Sequence, residues 1–392
     1  MSKNICMVVL SSYPYDPRVR RQAEVLEEEG IHVDVICLRE PQQAKTEKLG
    51  LVTVHRVMKS VNKESILRYV WLSFMFTLLA IIKLQALGMK KDYRLIQVHN
   101  MPDFLVFTGI FQKMLGKKII LDIHDLTVEL FETKWPDKKK SLMMSAVRKV
   151  EKLSCSFADH LITVTDACKE KLVGRGIPPE KITLVLNTAD TRIFQFDCDR
   201  TFEKIESKAR ILYHGTVAER FGIHTAVEAL ALLQEKIPQS TLHIYGKYDT
   251  DCRNKLERQI RDLGLQELVF LNGTRSLEQI HEIIKKSDIG LVPYVNDPYM
   301  NLALSTKTFE YAATGLPVVA SELYSLSLIF DQSSIKFATA DNPEAFSDAI
   351  AELCLSPEKR MQISQNANEV VAAISGSVMG KRYLRLVESM GQ

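Results

Sequence analysis

Short apolar runs alternate with helix-length amphipathic stretches along the whole chain. This alternation points to parallel sheets, because parallel strands need a crossover, usually a helix, between them. The runs at 5–11 (ICMVVLS), 33–38, 52–57, 95–99 (LIQVH), 118–123 (KIILDI), 160–164 and 182–186 are too short for α-helices, and turn residues or charge bound each one. A helix is expected over 17–29, with Val19, Ala23 and Leu26 on one face and Gly30 closing it. A second series of runs lies at 210–213, 241–245, 268–271, 289–292, 317–320 and 335–338. Helical patterns fill its gaps at 224–233, 252–263, 277–287, 306–314 and 343–355. The expected fold class is α/β, with two doubly wound halves.

The chain has 392 residues, enough for two such bodies. The expected organisation is a first domain at 1–195, a polar linker within 190–208, a second domain at 205–372, and a last helix at 373–392 packing back toward the first. Ligands in open parallel sheets bind outside the carboxyl ends of the strands, so a cleft between two facing sheets is the expected site. Net charge is +3 overall, but residues 1–196 carry +8 and the remainder −5. The halves should therefore meet different partners, and only the first should be drawn to an anionic surface. Nucleic acid is not expected, for lack of a motif and of strong basic charge. Seven scattered cysteines without a CxxC read as buried thiols of a reducing compartment. The opening MSKNICMVVLSSYP lacks the layout of a signal peptide.

Two stretches bear on membranes. Residues 69–82 (YVWLSFMFTLLAII) hold no charge, yet 14 residues are fewer than the roughly 17 needed to span. They read as a core helix or as an apolar helix dipping into a bilayer surface. Residues 134–152 hold seven basic residues, with Leu142, Met143, Ala146, Val147, Val150 and Leu153 at helical spacing. They read as a solvated surface helix or a membrane-surface element. With the basic first half, the expectation is peripheral attachment to a membrane surface via 69–82 and 134–152.

The segment most suggestive of chemistry is NDPYMNLALSTKTFEYAATGLPVVAS, residues 296–321. A polar loop enters a helix near Thr306, whose free N–H groups and positive dipole suit a phosphate. Ser305 and Thr306 are candidates to cap that helix and meet the anion, and Lys307 adds a charge. Glu310, one turn on, suits a bidentate grip on two sugar hydroxyls. The competing reading is a capped helix whose Lys and Glu only solubilise it. His124 follows a strand in LDIHDL, with Asp122 on its side of the strand and Asp125 opposite. On its residues alone it reads as a hydrogen-bonded structural histidine, and no metal is expected. The triplets Asp197-Cys-Asp199 and Asp249-Thr-Asp251 read as loop and helix cap rather than metal sites.

KTFEYAATGLPVVAS after its NLALS loop resembles the donor-binding signature of family 4 glycosyltransferases. SSYPYDPRVRRQAEVLEEEGIHVDVICL resembles that family's first βαβ unit, LIQVHNMPDFLVF and ILDIHDLTVELF its acceptor-side loops, and ILYHGTVAERFGIHTAVEAL its second-domain opening. The resemblance implies the GT-B fold, two Rossmann-like domains facing across a nucleotide-sugar cleft. It implies transfer with retention at the anomeric carbon and no metal or other cofactor. His124 and Glu310 are then the catalytic candidates, His124 on the sugar and Glu310 on the ribose. Gly215, Gly273, Thr274, Asn301, Ser305, Thr306 and Lys307 join the donor side, and His99, Asn100 and Asp103 the acceptor side. Three features depart from the pattern. The first Glu of the family's E-x7-E motif is replaced by Leu302, with Asn301 as the neighbouring substitute. The phosphate-binding Arg and Lys are replaced by Thr216 and Phe221, which leaves Arg220 as the candidate for the diphosphate. The usual Gly-rich first loop is SSYPYDPRVRR, without Gly. The expected function is transfer from a nucleoside diphosphate sugar, UDP-linked, to a glycan or lipid-linked acceptor in cell-surface polysaccharide synthesis. The expected location is cytoplasmic, peripheral on the inner face of the plasma membrane. The alternatives are a non-catalytic GT-B scaffold and a GT-B sugar-nucleotide epimerase.

Overall fold

The computed structural model describes residues 4–60, 66–135 and 141–391. The chain divides into two compact units, Met1–Leu186 with Ser377–Gln392, and Asn187–Gly376.

The first unit is built on eight strands: β1 Asn4–Ser12, β2 His32–Arg39, β3 Thr46–Leu49, β4 Val52–Lys59, β5 Leu95–His99, β6 Lys118–Ile123, β7 His160–Thr163 and β8 Ile182–Leu184. Their order in the sheet is β3-β4-β2-β1-β5-β6-β7-β8. Every pairing is parallel except β3 with β4. Buried on both faces, the central strands are continuous apolar runs, as Ile5–Leu10 illustrates. β3 (TEKL) has no apolar pattern because all four residues are exposed at the sheet edge, where charge deters further pairing. The helix Pro17–Glu28 starts where Asp16 accepts from the Arg18 N–H at 3.1 Å, with Pro17 at the first position. Its Val19, Ala23 and Leu26 share a core with Tyr383, Leu386 and Val387 of the last helix, Gly376–Met390.

The second unit has six parallel strands: β9 Arg210–His214, β10 Thr241–Tyr245, β11 Val269–Asn272, β12 Ile289–Val292, β13 Val318–Ser321 and β14 Lys336–Ala338. They are ordered β11-β10-β9-β12-β13-β14. Its core is a single large apolar cluster that includes Phe309, Tyr311 and Phe346.

The boundaries differ from those expected. The first unit ends at Leu186 rather than 195, and the supposed linker at 190–208 belongs to the second body. Phe194 is buried in that core, Arg200 donates to the Ser287 carbonyl at 2.7 Å, and the Ile205 N–H reaches the Cys354 carbonyl at 2.8 Å. The stretch is held by hydrogen bonds to backbone carbonyls of this second body, not by strand pairing, so no strand period shows. The cysteines are mostly buried, but Cys198 is exposed and Cys252 partly so.

The apolar run at 69–82 lies inside a longer helix, Ile66–Gly88, because Lys83 falls within it rather than at its end. By length and composition Leu67–Gly88 is long and apolar enough to cross a membrane, which corrects the expectation that it is too short. One stripe of it, with Phe76, Ala80 and Leu84 fully buried, packs into the first unit. Of the basic stretch 134–152, residues 136–140 lie outside the described residues. The helix Leu142–Phe157 that follows buries Met144, Glu151, Ser154 and Cys155. The stripe read as its apolar face is half-buried or exposed, with Leu142 and Leu153 facing solvent.

Candidate functional site

In the second unit, the helix Thr306–Thr314 is buried from Lys307 to its end. Ser305 occupies the N-cap position but makes no side-chain capping bond, contrary to the capping role expected of it. Its hydroxyl instead accepts from the Tyr294 phenol at 3.0 Å. Thr306 is exposed at the helix head. The Lys307 ammonium donates to the same phenol at 2.5 Å. It also lies 4.6 Å from the Tyr294 ring centre, 4.8 Å from that of Tyr213 and 5.5 Å from that of Phe221. Ring faces attract a cation without neutralising it. Gly215, at φ +116°, passes this side chain so closely that a Cβ would sit 3.1 Å from Lys307 Cε. Gly222, at φ +63°, must be glycine, since a Cβ there would fall 1.7 Å from the Pro293 carbonyl oxygen.

Glu310 is buried one turn further on, its Oε2 3.2 Å from His214 Nε2 at the end of β9. Burial, reinforced by the Lys307 charge, pushes the His214 imidazole down to about 3. The contact is therefore between a carboxylate and a neutral ring at physiological pH, although its distance alone would suit an ion pair. Tyr311 fixes the arrangement: its hydroxyl accepts from the His214 N–H at 3.2 Å and donates to the Leu212 carbonyl at 3.2 Å. Arg220 is half-buried and lies over Phe221 and Tyr299, 5.9 and 5.8 Å from the ring centres. No salt bridge joins Lys307 or Arg220 to a carboxylate among the described residues. A buried ammonium at a helix head, with an arginine on a neighbouring loop of the same unit, has the chemistry of an anion site.

Three donor-side expectations stand differently. The Asn301 amide braces its own loop, donating to the Asp297 carbonyl at 3.0 Å and accepting from the Tyr324 N–H at 3.1 Å, so it is not turned to a sugar. Leu302 is buried in the apolar packing. Gly273 and Thr274 are exposed just past β11, an edge strand, and a Cβ on Gly273 would meet only Arg275 at 3.8 Å. Asp249 caps its helix, accepting from the N–H groups of Asp251 and Cys252.

In the first unit, strand register places His99 beside Asp122. His124 joins them. His99 Nδ1 lies 3.1 Å from His124 Nε2 and 3.2 Å from Asp122 Oδ2, which is 3.4 Å from His124 Nε2. The Gln22 and Gln97 amides also donate to Asp122 Oδ2, at 2.7 and 3.2 Å, and Tyr383 of the last helix donates to Gln97 at 2.6 Å. Burial by itself would raise the Asp122 carboxyl, but the charge and hydrogen bonds of His124 and His99 hold it well below the usual range. Burial pushes His99 down, against the opposing pull of Asp122. The ligand-type atoms of His99, Asp122 and His124 lie within 4.8 Å of one another, so among the described residues these three could hold a metal ion. Asn100 accepts from the His124 N–H at 2.8 Å and donates to Asp103 at 2.9 Å and to the Asp125 carbonyl at 2.8 Å. Burial raises the Asp103 carboxyl despite that bond. Asn100 and Asp103 thus brace the His124 loop from a buried position rather than lining an open acceptor surface.

Gln22, Gln97, His214, Tyr213, Tyr294 and Tyr383 escaped the sequence reading. The spacing of Gln97 and His99, two apart on a buried strand, was the one legible signal among them.

A Glycosyltransferase Family 4 signature matches residues 18–193, and a Glycosyl transferases group 1 signature matches 196–370. The chain belongs to the family 4 glycosyltransferases. The chain is 26% identical over 232 residues to D-inositol 3-phosphate glycosyltransferase of Corynebacterium kroppenstedtii, covering 56% of this chain and 50% of the relative. It is 24% identical over 215 residues to the amylovoran biosynthesis glycosyltransferase AmsK of Erwinia amylovora, covering 55% and 49%. The chain thus spans about half the length of these curated relatives. Among solved structures it is similar to Alr3699/HepE of Anabaena in complex with UDP-glucose, with TM-score 0.72, 15% identity and 98% and 99% of the two chains covered. That likeness shows the fold, the two-domain GT-B architecture.

Proposed function

We propose that this glycosyltransferase moves a sugar from a UDP-linked donor to a glycan or lipid-linked acceptor, with retention at the anomeric carbon, in cell-surface polysaccharide synthesis on the cytoplasmic face of the membrane. The observation that carries the donor half is Lys307, a buried ammonium held by aromatic rings and a phenol at the head of a helix whose next turn presents Glu310. Lys307 and Arg220 take the diphosphate, Glu310 the ribose, and His124 positions the transferred sugar. Charge develops on the leaving diphosphate as its bond to the anomeric carbon breaks, so cations preorganised there favour the transition state. The acceptor oxygen bonds to that carbon on the same face, and its proton passes to the departing phosphate. The UDP-glucose complex of the HepE neighbour supports the donor class, and the amylovoran relative supports the polysaccharide role. No metal is required in this scheme.

Titration calorimetry with a nucleotide panel tests the reading. UDP should bind, and Glu310→Ala should weaken it by about 1–3 kcal/mol, the scale of lost charged hydrogen bonds. EDTA should leave both binding and transfer unchanged. Unaltered UDP affinity in the variant would remove Glu310 from the site, and EDTA-sensitive transfer would bring the His99–Asp122–His124 group back as a metal centre. Buried Leu302, in place of a sugar-binding Glu, favours a second reading, a nucleotide-sugar-binding scaffold without turnover. Product analysis separates the readings: a glycosylated acceptor, an epimerised nucleotide sugar, or no product.

A further inference from the structure

The helix Ile66–Gly88 has two apolar faces, and the first unit covers only one. Ser73, Phe76, Thr77, Ala80 and Leu84 are buried. The Ser73 and Thr77 hydroxyls donate back to the carbonyls one turn earlier, at 2.7 and 2.8 Å, so this polar pair needs no outside partner. A different stripe of the same helix carries Leu67, Trp71, Phe74, Leu78 and Ile82, with Leu67 84% and Ile82 66% exposed. Because Phe76, Ala80 and Leu84 are buried within the unit, the helix lies on a surface rather than through one. Beside its carboxyl end, Gln112 donates to Gln85 at 3.2 Å, and the short helix Ile110–Met114 adds exposed Phe111 and Met114.

The wall next to this stripe is basic. A cavity of about 410 Å³ is bounded on one side by Leu79, Ile82 and Ala86 of the helix. Arg39, Lys45 and Lys59 of the sheet side and Lys83 of the helix itself also line it, and none of the four has a carboxylate partner among the described residues. Arg56, deeper in the same cavity, is already paired with Glu47 at 2.7 Å. Ile82 belongs to both the exposed stripe and the cavity wall, so the apolar and cationic surfaces are continuous. The same end of the chain carries the +8 excess.

We propose that this composite surface docks on an anionic lipid bilayer, with the outer stripe of Ile66–Gly88 entering the acyl boundary and the adjoining cavity taking lipid phosphate groups. An apolar stripe on an amphipathic helix gains area in the boundary layer, and neighbouring lysines gain from the negative surface potential. The occupant is a membrane rather than a second copy because the cavity offers cations with nothing on the described surface of this stripe to neutralise them. The inference does not depend on the sugar chemistry, since it concerns residues that touch neither Lys307 nor Glu310.

Co-sedimentation of the full chain with vesicles tests it, comparing phosphatidylcholine with phosphatidylcholine–phosphatidylserine mixtures at two salt concentrations. The chain should bind the anionic vesicles, and salt should weaken the binding. Combined Lys45→Ala, Lys59→Ala and Lys83→Ala substitutions remove three charges and should weaken it about a hundredfold. Combined Trp71→Ser, Phe74→Ser and Ile82→Ser substitutions should release the protein while UDP binding and the circular-dichroism spectrum stay unchanged, which separates docking from folding and from donor recognition. Equal binding to neutral and anionic vesicles, no response to the charge variant, or a dimer that buries the stripe in solution would each overturn the proposal. So would stabilisation by inorganic phosphate alone with no vesicle binding.

Discussion

The two units use buried charge in opposite ways. In the first, charged groups are closed upon one another: Asp122 takes hydrogen bonds from Gln22 and Gln97 and lies against two histidines. Arg175 likewise donates from Nη1 to both carboxylate oxygens of Glu151, at 2.7 and 2.8 Å, and from Nη2 to Glu129. In the second, Lys307 and Arg220 are held by rings and a phenol, which restrain a cation without cancelling its charge. A closed cluster contributes to stability, whereas an ammonium held this way keeps its field for an incoming anion. Substitutions at Asp122 or Arg175 and at Lys307 or Arg220 should therefore register in different measurements.

The largest effect is expected at Asp122. Asp122→Ala leaves buried donors and imidazoles without their common acceptor and should cost about 3–5 kcal/mol of stability. Denaturant titration reads this directly, and UDP affinity should hardly move. A variant as stable as the parent would break the contrast, because the first cluster would then not be a closed one.

Lys307→Ala comes next. Removing a preorganised group that meets developing charge typically lowers turnover by about 10²–10³-fold, about 2.7–4 kcal/mol. Kinetic assay should show that loss, and UDP should bind more weakly while uridine is little affected. If denaturant instead showed a stability loss as large as at Asp122 with turnover intact, Lys307 would be a structural cation like Arg175.

The difference between the units also explains what the sequence could disclose. Strands such as 95–99, 118–123, 241–245 and 289–292 were legible to the residue, because burial keeps most of their letters apolar over a length too short for a helix. The edge strand Thr46–Leu49 was not, since all four of its residues are exposed and no apolar period marks it. His124, Lys307 and Glu310 were legible as polar letters at strand and helix ends. The partners that give them their chemistry were not: Tyr383 meets Gln97 across 286 positions, and the ring cage of Lys307 draws Tyr213, Phe221 and Tyr294 from separate loops and strands. Periodicity has no reach over such distances. The same limit misplaced the linker at 190–208, whose anchoring contacts include Ile284, 84 positions from Arg200, and Arg360, 157 positions from Glu203.

A smaller effect sharpens the comparison through pH. The His214 imidazole is depressed to about 3 by burial and by Lys307. The unfolded chain takes up this proton below its ordinary value near 6.5, and the folded chain only near 3. This contribution is therefore complete above pH 6.5 and is lost as pH falls from 6.5 toward 3, by about 1.4 kcal/mol per unit. His214→Gln should flatten the dependence of stability on pH between roughly 6.5 and 5. An unchanged slope in denaturant titrations would mean that the imidazole is protonated in the fold and that its contact with Glu310 is an ion pair, making the second cluster closed like the first.

The smallest and most discriminating change is Tyr294→Phe. It keeps the ring face under Lys307 but removes the hydroxyl that accepts from Lys307 and donates to Ser305. If the ring carries most of the restraint, the loss should be that of one ordinary hydrogen bond, about 0.5–1.5 kcal/mol. It should appear as a several-fold fall in turnover with near-parental stability. Tyr294→Leu removes the ring as well and should fall further, because the ammonium then loses the closest of the faces it rests on. Equal losses in the two variants would place the restraint in the phenol alone. The cation in the second unit would then be held by a hydrogen bond of the same kind that closes the cluster in the first, and the distinction between the units would rest on Arg220 alone.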